Sequence, residues 1–151
     1  MRLCLDTGYA LLHKAGEELC GDTVEIINTG DSYIVVLSDG LGSGVKANIL
    51  SQITTRIAST MLQKGSKIEE VIETLASTLP VCQLRKLAYS TFTILQVFHD
   101  GRVYLAEYDN PEIFWLKNKK ICCPPRKEKI IEERTINESR FYVADGDWLV
   151  L

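Results

Sequence analysis

Residues 33–52 read YIVVLSDGLGSGVKANILSQ, and the order of features in this stretch decides the fold. A short apolar run, Tyr33–Leu37, is rich in β-branched residues and has the length of a buried strand. It stops at Ser38 and Asp39, and a glycine-rich turn, Gly40-Leu41-Gly42-Ser43-Gly44, leads into helical sequence from Val45. A strand that ends on a carboxylate delivers that carboxylate to the edge of a sheet, where solvent and ligands reach it. The three glycines give the backbone access to φ > 0 and to close approach at the same point.

Upstream, Val24–Asn28 reads as a strand, and Thr29-Gly30-Asp31-Ser32 is a cluster of turn formers. The two strands form a hairpin. Asp22 then stands just before the first and Asp39 just after the second, and antiparallel pairing brings both carboxylates to one end of the sheet. Two aspartates there suit a hard divalent cation such as Mg²⁺ or Mn²⁺, with the Gly40 carbonyl as a further oxygen ligand. Spacing alone leaves a plainer reading open, in which Asp22 caps a turn and Asp39-Gly40 is an ordinary Asp-Gly turn. Nucleotide binding rests only on the glycines. Val45 stands where a dinucleotide fingerprint needs its third glycine, and Gly44-Val45-Lys46 lacks the ending of a phosphate-binding loop.

Downstream, Val45–Leu62 carries Ile49, Ile53, Ile57 and Met61 at four-residue intervals, with Val45, Leu50 and Ala58 beside them, which predicts an amphipathic helix. Ser66-Lys67-Ile68-Glu69 reads as a capping box for a second helix, with Ile68, Val71, Ile72 and Leu75 on its apolar face and an end near Pro80. β composition returns over Leu87–Phe98, and His99-Asp100-Gly101 turns the chain into Arg102–Tyr108. Asp109-Asn110-Pro111 is a turn, and Ile113–Leu116 with Lys120–Cys122 makes a further hairpin. Pro124–Glu133 reads as a solvated loop, Arg140–Val143 and Trp148–Leu151 as two strands about the turn Ala144–Asp147, and Leu3–Leu12 as a first strand. Asp145-Gly146-Asp147 supplies turn residues, and His13 and His99 stand isolated. Two helices on a largely antiparallel sheet define an α+β fold in a single domain over residues 1–151.

The composition narrows the function. Net charge is −3 and the pI about 5.4, so no basic field draws nucleic acid or an anionic membrane. The start, MRLCLDTGYALLHKAGEE, has no long apolar core and is not a signal peptide. No apolar run approaches the roughly 20 residues of a membrane-crossing helix. The five cysteines are odd in number and lack paired CxxC spacing. They read as reduced structural thiols in a cytoplasmic protein.

Taken together, Gly16–Asp22, Leu37–Gly44 and the helix from Lys46 resemble the metal-dependent protein phosphatases of type 2C, and most closely their bacterial stage II sporulation protein E branch. Ala88–Val97, Gly101–Tyr108 and Asp109-Asn110-Pro111 fit the same branch. The resemblance implies an α-β-β-α sandwich, incomplete here, and a serine/threonine phosphatase with two Mn²⁺ or Mg²⁺ ions at one edge. Asp22, Asp39 and the Gly40 carbonyl would be metal ligands. Metal-bound water, with no other catalytic group, would attack a phosphoserine or phosphothreonine of a bacterial regulatory protein in sigma-factor or stress signalling. Two family features differ in this chain. Leu41 stands where eukaryotic members carry a histidine, and the place of an upstream phosphate-binding arginine falls near Glu17. Both departures are shared with the sporulation-type branch.

The family also draws further aspartates from beyond an apolar strand like the one that begins at Trp148. The resemblance therefore implies a truncated domain that holds one ion or none and is inactive alone, with an unpaired strand edge that favours self-association. A non-catalytic phosphatase-like module that binds partner proteins is the competing expectation.

Overall fold

The computed structural model describes residues 2–79, 81–82, 87–88 and 90–151. Its centre is a six-stranded sheet with the order β1-β2-β5-β6-β10-β9, every neighbouring pair antiparallel. The strands are β1 (Asp22–Asn28), β2 (Ser32–Asp39), β5 (Phe92–Phe98), β6 (Arg102–Tyr108), β9 (Arg126–Ile131) and β10 (Arg134–Tyr142). A two-stranded piece pairs β3 (Val81–Cys82) with β4 (Leu87–Ala88). A three-stranded sheet has the order β11-β7-β8, from β7 (Phe114–Lys117), β8 (Lys120–Cys122) and β11 (Trp148–Val150). The helices are α1 (Gly44–Gln63) and α2 (Ile68–Thr78). The chain is thus α+β, as expected.

The apolar run in β2 is continuous because both faces of the main sheet are covered. On one face Ile34, Val36, Ile94 and Ile136 meet Ala58 and Leu62 of α1 and Val71, Ile72 and Leu75 of α2. On the other, Val35, Leu95, Val103 and Leu105 meet Ile113, Trp115 and Leu149 from the three-stranded sheet and Leu5 from the N-terminal segment. Alternation along each strand sends successive side chains into the two layers.

Several sequence expectations shift. The apolar series of α1 is only partly its buried face: Leu50 and Ala58 are buried and Ile57 and Met61 pack against the core, but Val45, Ile49 and Ile53 are 61%, 50% and 41% exposed, and Ala47, Ser51, Thr54, Thr55 and Ser59 are buried in their place. Small and hydroxyl-bearing residues let the helix lie close to the strands beneath it, and that proximity outweighs hydropathy. The start of α2 moves by one residue. Lys67 is its N-cap, and the Glu70 carboxylate accepts from the Lys67 N–H at 3.1 Å, so Glu70 plays the part expected of Glu69. The expected helix end at Pro80 lies outside the described residues, as does Tyr89 within the β segment expected from Leu87.

Residues 124–133 are not a loop, since they contain β9, an edge strand paired with β10. Its charged side chains suit an edge. Glu132 and Glu133 turn the hairpin at φ 48° and 63° without the glycine that normally signals such a turn. β11 joins β7 and not β10. Asp147 redirects the chain, its carboxylate accepting from Ala144 N–H and from Trp115 Nε1, each at 3.1 Å. Leu3–Leu12 forms no strand. Leu3 donates a single backbone bond to the His99 carbonyl at 2.8 Å, and Leu5 packs into the core. No described helix is long and apolar enough to cross a membrane.

Candidate metal centre

The β1–β2 hairpin places the two aspartates more closely than sequence spacing could specify. Asp22 and Asp39 are direct cross-strand partners, the last pair of the ladder. One bond beyond it, the Gly40 N–H donates to the Gly21 carbonyl at 3.1 Å. The Gly40 carbonyl in turn faces Gly21, 3.4 Å from where a Cβ there would sit. Asp22, Asp39 and Gly40 therefore meet at one sheet end.

The glycine turn works differently from its sequence reading. Gly42 and Gly44 take φ of 110° and 70°, but Gly40 does not use the left-handed region. Its missing side chain admits α1 instead: a Cβ at Gly40 would lie 2.0 Å from the Ala47 carbonyl oxygen. The sheet end and the first turn of α1 are in backbone contact, and only glycine permits it.

A cleft of about 220 Å³ opens over the pair, lined by Asp22, Asp39, Cys20, Glu17, Lys14 and Ser43 among others. Partial burial, then the negative charge of Asp22 and a hydrogen bond to it, push the Asp39 carboxyl up to about 6. Asp39, whose ionisation Asp22 disfavours, forms with it a donor set that a hard cation relieves, so these residues fit Mg²⁺ or Mn²⁺. A carboxylate pair also holds a cation without offering a competing nucleophile.

Other residues at this end had no clear sequence signal. The Cys20 thiol donates to the Leu12 carbonyl at 3.3 Å and lies 4.0 Å from Asp22 Oδ2. The Glu17 carboxylate rests against Gly44, 2.7 Å from where a Cβ there would sit, at the positive end of α1. Asp109-Asn110 is a turn, with Asp109 at φ 51°, but Asn110 does more than turn the chain. Its amide nitrogen donates to Thr93 Oγ1 at 3.0 Å and its amide oxygen accepts from the Thr91 hydroxyl. Thr91 N–H donates to the Asp39 carbonyl at 3.0 Å, tying this turn to the site. Contacts of this kind across the fold leave no short motif in the chain.

His13 is exposed and outside the cleft. His99 lies at the opposite end of the sheet beside a larger, shallower depression of about 580 Å³. The polar groups there are engaged with one another. The His99 ring nitrogens stand 2.8 Å from the Leu3 carbonyl and 3.0 Å from the Gly30 carbonyl, and Arg102 pairs with Asp100 at 2.7 Å. Size alone does not make it the site. Cys4, Cys20, Cys122 and Cys123 are free thiols.

Comparison with known proteins places the fold. The sequence model of the stage II sporulation protein E (SpoIIE) family matches residues 29–151. Stage II sporulation protein E of Priestia megaterium is 39% identical over 70 residues, which is 45% of this chain and 12% of that protein. Among solved structures, the PP2C phosphatase domain of SpoIIE from Bacillus subtilis, with a fragment of its regulatory domain, superposes with a TM-score of 0.79 at 21% identity. That match covers 93% of this chain and 42% of the other. RsbX, solved in complex with magnesium, gives a TM-score of 0.69 at 19% identity over 91% of this chain and 68% of its own. The chain spans less than half the length of the two sporulation proteins, and the solved structures share its fold.

Proposed function

Because the chain belongs to the stage II sporulation protein E family, we propose that it carries the first metal-binding elements of a metal-dependent serine/threonine phosphoprotein phosphatase. The observation that carries this reading is the direct pairing of Asp22 with Asp39 beside Gly40. Asp22, Asp39 and the Gly40 carbonyl are the proposed ligands. Bound Mn²⁺ or Mg²⁺ supplies Lewis acidity that activates water and neutralises phosphoryl charge. The residues of this chain do the holding: the hairpin fixes the carboxylates, and the Gly40–Ala47 contact keeps α1 against them. The proposed substrate is a phosphorylated bacterial regulatory protein of a sigma-factor or stress pathway. A structural neighbour from the bacterial stressosome supports that class.

Among the described residues, no group of three or more His, Cys, Asp or Glu side chains is disposed to hold a metal. We therefore propose that these 151 residues hold one cation loosely and turn over little substrate by themselves. The same ligand count favours a second reading, a phosphatase-like module that binds partners without catalysis. Exposed Trp148 and Val150 on β11 support self-association through that sheet.

Calorimetric titration with Mn²⁺, run beside hydrolysis of an aryl phosphate, separates these readings. One weak site that disappears in Asp39→Asn, with little or no turnover, is the expected result. Two tight sites with turnover would show the ligand set to be complete. Equal binding in wild type and Asp39→Asn would remove the metal reading.

A further inference from the structure

The polar inner stripe of α1 has a use that core packing does not explain. Asn48, Ser51 and Thr54 follow at three-residue steps and face the strands that carry the aspartates. Asn48 Nδ2 donates to the Cys20 carbonyl at 2.8 Å, two residues before Asp22. Its amide is oriented by Gln52, whose Nε2 donates to Asn48 Oδ1 at 2.7 Å. Ser51, fully buried, bonds Thr23 Oγ1 at 2.7 Å, one residue after Asp22. Ser51 Oγ also lies 3.0 Å from the Asn48 carbonyl, to which it can donate while accepting from Thr23.

The second aspartate is held from the same helix. Thr54 Oγ1 lies 2.8 Å from the Leu50 carbonyl and shares a hydrogen bond of 2.5 Å with the Ser90 hydroxyl. Ser90 bridges Gly40, the residue after Asp39, and its neighbour Thr91 donates to the Asp39 carbonyl. The stripe makes directed bonds on both flanks of Asp22 and on the far side of Asp39.

We propose that Asn48 and Ser51 are positioning residues of the carboxylate pair: through the Cys20 carbonyl and the Thr23 hydroxyl they tie the chain on either side of Asp22 to α1 and so fix its place opposite Asp39. The proposal rests on the reading of that pair as a cation site. Hydrogen bonds that orient metal ligands change affinity when removed although they never touch the ion.

The test compares wild type, Asn48→Ala, Ser51→Ala and Asp39→Asn with two readouts. The first is amide hydrogen exchange in the metal-free chain at Gly40, whose N–H is bonded to the Gly21 carbonyl, with Ile94 in the sheet centre as the internal reference. The second is the Mn²⁺ dissociation constant. In Asn48→Ala and Ser51→Ala, Gly40 exchange is expected to accelerate while Ile94 stays protected, and Mn²⁺ to bind about tenfold more weakly. Unchanged Gly40 exchange, or Mn²⁺ affinity within about twofold of wild type where Asp39→Asn abolishes binding, overturns the proposal. If Asp39→Asn binds Mn²⁺ as wild type does, the cation reading fails by itself. Gly40 exchange then decides positioning alone, acceleration supporting it and no change overturning it.

Discussion

Asp39 sets the pH response of the site. Its carboxyl is raised to about 6 from an ordinary 3.8, so the folded chain holds this proton more tightly than the unfolded chain does. A group of that kind contributes its full stability below the unfolded value and loses it as pH rises through the folded one. The metal-free chain should therefore melt at a higher temperature at pH 5 than at pH 7.5, and Asp39→Asn should remove this component. Glu69 and Asp100, whose carboxyls are held below their ordinary values, act in the opposite sense but in a more acidic window. In the same melts an added divalent cation, which replaces the proton, should protect most above pH 6. The two aspartates were legible in the sequence because hairpin pairing is a local rule. Their supporting partners were not, because Asn48, Thr91 and Asn110 reach the site only through tertiary contact.

The helices show where periodicity misleads. α2 buries the face its sequence announces, with Val71 and Ile72 wholly covered. α1 buries small and hydroxyl residues and leaves Ile49 and Ile53 half outside. The consequence is measurable by denaturant unfolding. Ile72→Ala should cost about 2–5 kcal/mol, since it empties a core position. Ile49→Gln should stay within about 0.5 kcal/mol of wild type, as surface substitutions do. Hydropathy alone would have ranked the two positions together. The edge strand β9 was missed for a related reason: its charges read as a loop, and its turn at Glu132-Glu133 carries none of the residues that usually announce one.

At the scale of the molecule, one buried carboxylate joins the layers. Glu107 of β6 is 1% exposed. It accepts from Arg126 Nη2 of β9 at 2.6 Å and from the Ile113 N–H, just before β7, at 3.2 Å. Arg126 also pairs with Glu112. Arg126→Ala would leave a buried negative charge with only a backbone partner, and should lower stability by about 3 kcal/mol in urea or thermal unfolding. Nothing in the sequence singled out Glu107, because its neighbours in the strand are those of any half-buried β segment. The order of elements was nevertheless enough for the fold class, since helices that follow one hairpin and precede further strands leave few ways to cover a sheet.

The β1–β2 hairpin has a consequence in time as well as in space. Both proposed carboxylate ligands lie within one hairpin, as the pair Asp22–Asp39 of its ladder. Hairpins close in about 1–10 μs, whereas synthesis adds only about 5–20 residues per second. Asp22 and Asp39 can thus meet many times before β5 and the rest of the sheet have been made. A lone hairpin is marginal in water, so these early encounters are brief, and α1 with the strand beside β2 turns them into a lasting pair. The first strand pair of this fold to be synthesised is also the one on which its proposed chemistry depends.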